Sequence, residues 1–129
     1  DSNKPLTMAT VTVPDFEDWY KSFLHWGRIV RDEHNVILGN VEYKDATDNQ
    51  KEIKEVNPSY FCFKKDWLFQ NLKSLTNENA QGEYYLTDLV KLAANDGGIA
   101  SIAISPEEAL GVNTIEQLKE LEQLIKKAD

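Results

Sequence analysis

The densest set of chemically capable side chains lies in Asn79-Ala80-Gln81-Gly82-Glu83-Tyr84-Tyr85-Leu86-Thr87-Asp88. It brings two amides, two carboxylates, two phenols and a hydroxyl to the approach of a helix. Such groups do hydrogen-bonding chemistry. Taken alone they also make a polar helix start with Thr87 or Glu83 as its cap. Three further strings are weak singly. Glu42-Tyr43-Lys44-Asp45 fits an exposed strand end, Val56-Asn57-Pro58 a turn, and Gly111-Val112-Asn113-Thr114 a helix cap. Nucleophilic and metal chemistry have less support. His25 and His34 have no ligand partner at metal spacing, and Cys62 between two phenylalanines reads as a buried, inert thiol. The sequence has no G-x-S-x-G elbow and no H-E-x-x-H, and Gly97-Gly98 lacks the other glycines and the lysine of a phosphate loop.

The elements that position these residues alternate strand and helix. Leu6–Val13 is rich in β-branched residues and reads as a buried strand ending at Pro14. Asp15 is placed to cap a short helix carrying Phe16, Trp19, Tyr20 and Phe23, which Trp26-Gly27 breaks. Arg28–Arg31, Val36–Leu38 and Val41–Tyr43 read as strands, with a turn at Asp32–Asn35. Thr47 and Gln50 have the spacing of a capping box. Glu55–Phe63 reads as a strand, and Asp66 as the cap of a helix with Trp67, Leu68, Leu72 and Leu75 inward. Tyr84–Ala94 reads as a helix closed by Gly97-Gly98. Ile99–Ile104 is apolar enough for a strand covered on both faces. Ser105-Pro106 opens another helix, and Thr114 caps a last one with Ile115, Leu118, Leu121, Leu124 and Ile125 inward. The class is α/β: a mixed sheet with flanking helices, in one unit spanning 1–129.

The chain has 129 residues and a net charge of −8, from 14 Lys+Arg against 22 Asp+Glu. That acidity argues against nucleic acid and against anionic membrane surfaces as partners. One cysteine excludes a disulfide framework. The first residues do not read as a secretory signal, and a cytoplasmic setting is the expectation.

Together, in one order, Trp26-Gly27-Arg28-Ile29, Val41-Glu42-Tyr43-Lys44-Asp45-Ala46-Thr47, Glu55-Val56-Asn57, Asn79–Asp88 and Gly111-Val112-Asn113 carry a resemblance from about Leu6 to Leu124. The sequence resembles the C-terminal, sugar-binding half of the nucleotidyltransferase domain of N-acetylglucosamine-1-phosphate uridylyltransferase and related sugar nucleotidyltransferases. The resemblance implies a partial nucleotidyltransferase fold, Rossmann-like, lacking the N-terminal nucleotide-binding half. It implies the joining of a nucleoside triphosphate to a sugar 1-phosphate with release of pyrophosphate, the expected pair being UTP and N-acetylglucosamine 1-phosphate. By the same resemblance Gly27 would let the backbone approach the sugar, Glu42 and Asn57 would hydrogen-bond it, and Tyr85 and Thr87 would line its pocket. Asn113 would be a ligand of the magnesium cofactor.

The family's Leu-x-x-Gly-x-Gly-Thr-Arg loop, its Pro-Lys and its second metal ligand are absent from this sequence, as are the hexapeptide repeats of the bifunctional enzymes. The expectation is therefore a fragment without transferase activity of its own, binding a sugar phosphate or nucleotide-sugar. The alternative is a non-catalytic binding or assembly module derived from that fold. A sheet cut in this way is expected to expose the strand near Thr7–Val13 as an edge. It would then pair with a second copy or with the missing nucleotide-binding half.

Overall fold

β1 (Leu6–Thr12) organises the sheet, and its sequence explains why. Its alternating residues supply apolar contacts to both faces. Leu6 and Met8 enter one core cluster, while Val11 enters another with Val13 just beyond the strand. A computed structural model describes residues 3–112 and 114–128. Among these, β1 pairs with three strands. β6 (Ile99–Ile104) runs parallel along one side, from Leu6 opposite Ile99 to Val11 opposite Ile104. On the other side two short antiparallel strands share the edge: β4 (Glu55–Val56) opposite Val11 and Thr12, and β5 (Phe61–Phe63) opposite Leu6 to Met8. β2 (Arg28–Arg31) joins β4 to β3 (Ile37–Val41). The result is a mixed six-stranded sheet with flanking helices. The expected edge at β1 is thus corrected: β1, with apolar residues on both faces, is the centre of the sheet, and β6 lies at its margin.

α3 (Asp88–Asp96) covers one face, placing Val90 and Ala93 against Leu6, Met8, Ile29, Ile37 and Ile99. The other face is closed by a 3-10 turn at Asp18–Phe23 and by α4 (Pro106–Ala109). Phe23 and Ala109 pack there on Val11, Val13 and Val56.

The capping signals act as expected. Thr47 and Gln50 exchange their two bonds at the start of α1 (Asp48–Lys51), and Ser105 does the same with Glu108 at α4. Asp32 Oδ1 accepts from the amides of His34 and Val36, closing the β2–β3 turn.

Other expectations fail for identifiable reasons. Residues 55–63 form two strands, because Asn57-Pro58 interrupts pairing and Ser59 takes φ 63°. β6 is not covered on both faces: Ser101, Ile102 and Ala103 are exposed, Ile102 at 60%. Cys62 is exposed, on the side of β5 away from the core. Asp66 lies inside the first turn of α2 (Lys65–Asn71), after Lys64, which makes no side-chain cap. Asp15 accepts from the Glu17 amide, and the 3-10 turn starts later. α3 begins at Asp88 rather than Tyr84, since the preceding residues are held in turns by Asn79. Thr114 Oγ1 does accept from Gln117 N at the start of α5 (Ile115–Ala128). Ile115 and Leu118 are nevertheless exposed, while Leu121 is half-buried; the side chains of Leu124 and Ile125 lie outside the described residues.

Arg31 and Glu55 tie β2 to β4. Arg31 Nε and Nη2 each donate to a Glu55 oxygen at 2.7 Å. Burial pushes the Glu55 carboxyl up, but the bonds from Arg31 and Thr10 and the Arg31 charge outweigh it and hold the pKa below the ordinary glutamate value. Glu55→Gln should therefore cost about 1–2 kcal/mol at pH 7. A depressed carboxyl contributes stability above its unfolded pKa and loses it as pH falls through the folded one. Urea unfolding of both proteins should show the difference shrinking below the ordinary glutamate range; a gap that persists at pH 2 would contradict this origin.

Candidate functional site

The site is assembled where β2, β3 and the start of α3 meet. Antiparallel pairing places Arg28 opposite Val41 and Ile29 opposite Asn40, so the next step sets Gly27 beside Glu42. Alternation puts Asn40 and Glu42 on one face of β3. α3 packs across that face and delivers Thr87, the residue before its first turn.

The Glu42 carboxylate is the hub. Its Oε1 accepts from Thr87 Oγ1 at 2.7 Å and from Asn40 Nδ2 at 2.9 Å. Gly27 joins from below. A Cβ built there would lie 2.4 Å from Asn40 Oδ1, so the space that the glycine leaves is filled by the Asn40 carboxamide. Asn57 is buried and linked through its backbone, its N–H donating to Gly27 O at 3.0 Å. Its side-chain Oδ1 accepts from the Ser59 amide at 2.8 Å.

Tyr85 stands one step away. Its hydroxyl accepts from Gln81 Nε2 at 2.7 Å, and Gln81 in turn accepts from Lys44 Nζ. Asp45 Oδ1 takes the Ala80 amide at 2.9 Å, docking the loop against the end of β3. Between these groups is a cleft of about 190 Å³ walled by His25, Glu42, Tyr43, Lys44 and Gln81. Of the five expected pocket residues, Glu42 alone lines it; Thr87 connects to it by its bond to Glu42, Tyr85 through Gln81, Gly27 by packing against Asn40, and Asn57 through its bond to Gly27. Asn40 lines a second cleft of about 370 Å³, with Ser74, Thr76 and the Asp88, Lys91 and Asn95 side chains of α3. Asp88 is pushed above the ordinary aspartate value by desolvation first, then by the charges of Glu42 and Asp45.

Existing bonds fix what these groups can offer a ligand. An ionised carboxylate only accepts, so Thr87 gives its proton to Glu42 and keeps acceptor capacity. Tyr85 already accepts from Gln81 and keeps its proton to donate. Asn57 has spent one lone pair on Ser59 and keeps its Nδ2 donors. Acceptors and donors therefore alternate around Glu42, a set matched to hydroxyls, which do both.

Sequence reasoning missed the support beneath this set. Arg28 is fully buried and has no carboxylate partner among the described residues. It donates to the carbonyls of Trp26 at 2.5 Å, Leu24 at 2.9 Å and Lys51 at 3.2 Å. The Phe16 and Tyr43 rings lie 4.5 and 5.2 Å from its guanidinium carbon. Burial draws its pKa down, and Tyr43 and Glu52 oppose that. An arginine in an apolar tetrapeptide gave no hint of this. Asn40 had a usable signal: it sits two residues before Glu42 in a strand, hence on the same face. Asn113 lies outside the described residues, so its expected place on a metal does not appear here. Among the described residues no group of three or more His, Cys, Asp or Glu side chains is placed to hold a metal ion.

The architecture is shared with a known class. A nucleoside-diphosphate-sugar pyrophosphorylase from Vibrio cholerae superposes with a TM-score of 0.62 over 93% of this chain and 47% of that one, at 11% identity. The fold is thus part of the nucleotidyltransferase fold of sugar-nucleotide pyrophosphorylases. In sequence, the chain is a relative of one stretch of Bifunctional protein GlmU. It is 43% identical to the Geobacillus thermodenitrificans protein over 103 residues, 78% of this chain and 22% of that protein. With the Brevibacillus brevis protein the identity is 40% over 123 residues, 94% and 25%. The Psychrobacter protein gives 48% over 100 residues, 75% and 22%. The chain spans about a quarter or less of the curated relatives it matches. No family model matches it. The resemblance read from the motifs is therefore correct, and the chain is related to the sugar nucleotidyltransferases.

Arg28→Met should cost about 2–4 kcal/mol in urea unfolding, because three partly buried carbonyls lose their donors at once. Arg28→Lys should recover only part of this, since an ammonium cannot reproduce the planar fork. Equal stability of Arg28→Met and the parent would show that water replaces the guanidinium.

Proposed function

We propose that the chain carries the sugar-binding side of a sugar-1-phosphate nucleotidyltransferase, with N-acetylglucosamine 1-phosphate as sugar and UTP as nucleotide. The carrying observation is the Glu42 carboxylate held on one oxygen by Thr87 and Asn40 within a pyrophosphorylase fold. In this reading Glu42 accepts from a ring hydroxyl, and Thr87 accepts from a second hydroxyl or the N-acetyl N–H. The Tyr85 hydroxyl and the Asn57 amide donate to sugar oxygens. Gly27 acts by making room for Asn40 beside the pocket.

The reaction is an in-line displacement at the α-phosphorus, which depends on positioning and on neutralising phosphate charge. Magnesium supplies part of that neutralisation, and in this reading Asn113 is a ligand to it together with substrate phosphates. This sequence has no Gly-rich phosphate loop, so it is expected to bind sugar phosphate without releasing pyrophosphate on its own.

Titration of the isotope-labelled chain with N-acetylglucosamine 1-phosphate tests the reading by nuclear magnetic resonance. Saturable shifts should centre on Glu42, Asn57 and Thr87, and Glu42→Gln should weaken binding about tenfold or more. Binding unaffected by Glu42→Gln, or shifts confined to the opposite side of the sheet, would refute it.

A further inference from the structure

We propose that Asn40 is the positioning residue that aims Glu42, holding Oε1 so that Oε2 faces a hydroxyl donor on the ligand. The proposal rests on the reading of Glu42 as a sugar acceptor given above.

Three observations carry it. First, the orientation of the Asn40 amide is forced. With Nδ2 toward Glu42 it donates at 2.9 Å; turned over, its oxygen would face a carboxylate. The forced orientation leaves Asn40 Oδ1 buried with no hydrogen-bond partner among the described residues. A buried unpaired carbonyl is costly, and a charge-assisted bond is the stronger contact that offsets it. Second, the amide is wedged in place. A Cβ at Gly27 would come within 2.4 Å of Oδ1 and 2.8 Å of Nδ2, so any side chain there displaces the amide from Glu42. Third, both donors meet the same oxygen. Among the described residues Oε2 receives none, and its lone pairs point to what binds next. Position 40 therefore sets which hydroxyl the pocket reads, without touching the ligand.

The test compares binding of N-acetylglucosamine 1-phosphate with that of its monodeoxy analogues, by calorimetry on the full chain. The unaltered protein should disfavour one analogue by at least about tenfold, the one lacking the hydroxyl Glu42 accepts. Asn40→Leu keeps the volume and removes the donor. It should bring that one ratio close to unity and change the other ratios less than threefold. A merely structural role would weaken all ligands by one common factor. Gly27→Ala should reproduce the loss of discrimination in the parent and add nothing further in an Asn40→Ala background. Thermal melts identify folded variants; if Asn40→Leu does not fold, Asn40→Ala and Gly27→Ala decide. Wild-type discrimination retained in the folded variants overturns the proposal alone. No binding by the unaltered chain overturns the reading of the pocket and the proposal with it.

Discussion

A single buried cation holds the region around Glu42 together. The Arg28 guanidinium sits between two aromatic rings and takes its partners from main-chain carbonyls of Leu24, Trp26 and Lys51. Those carbonyls come from the turn before β2 and from the end of α1. A planar group with five donors can join them, and no apolar residue could satisfy the same oxygens. The same residue is also a sheet residue, opposite Val41 on one side and Val56 on the other. Fixing its side chain thus fixes where three strands meet.

The polar chain above follows from that anchor. Gly27 precedes Arg28 and is held by the Asn57 amide. The position of its backbone decides whether Asn40 fits, and Asn40 with Thr87 decides how Glu42 lies. Each link is short and directional, while the apolar clusters on either face of β1 supply most of the cohesion. The loop carrying Tyr85 is different. It is fastened by exposed side-chain bonds from Lys44, Asp45 and Gln81, contacts that water competes with. The fold therefore presents a firm acceptor and a looser rim.

Local signals were legible where the physics is local. The Thr47 and Ser105 caps, the Asp32 turn and the glycines after α3 depend on residues three or four apart, and the structure reproduces them. The motif strings gave the class and the residues around Glu42. What could not be read depends on neighbours distant in sequence. Ile99–Ile104 and Cys62 looked buried from composition, but burial is decided by what packs above a strand. Tyr84–Thr87 has helical spacing, yet Asn79 captures the backbone ahead of the helix. Arg28 looked like one charge in a strand, and only the meeting of two turns reveals three carbonyls waiting for it.

The margin of the sheet has a consequence for behaviour in solution. β6 is six residues without a charge, a proline or a bulge, and it leads with exposed Ile102. Such a strand offers open backbone groups to any other extended chain. The force that opposes such pairing between two copies is the net charge of −8, a long-range repulsion. Ionic strength therefore sets colloidal behaviour. In dilute salt the repulsion reaches tens of ångströms, while at about 0.15 M it fades beyond roughly 8 Å. Near the isoelectric point, about 4.7, it vanishes. The spacing between copies in solution should therefore follow ionic strength and pH, because the open edge of β6 carries no charge of its own.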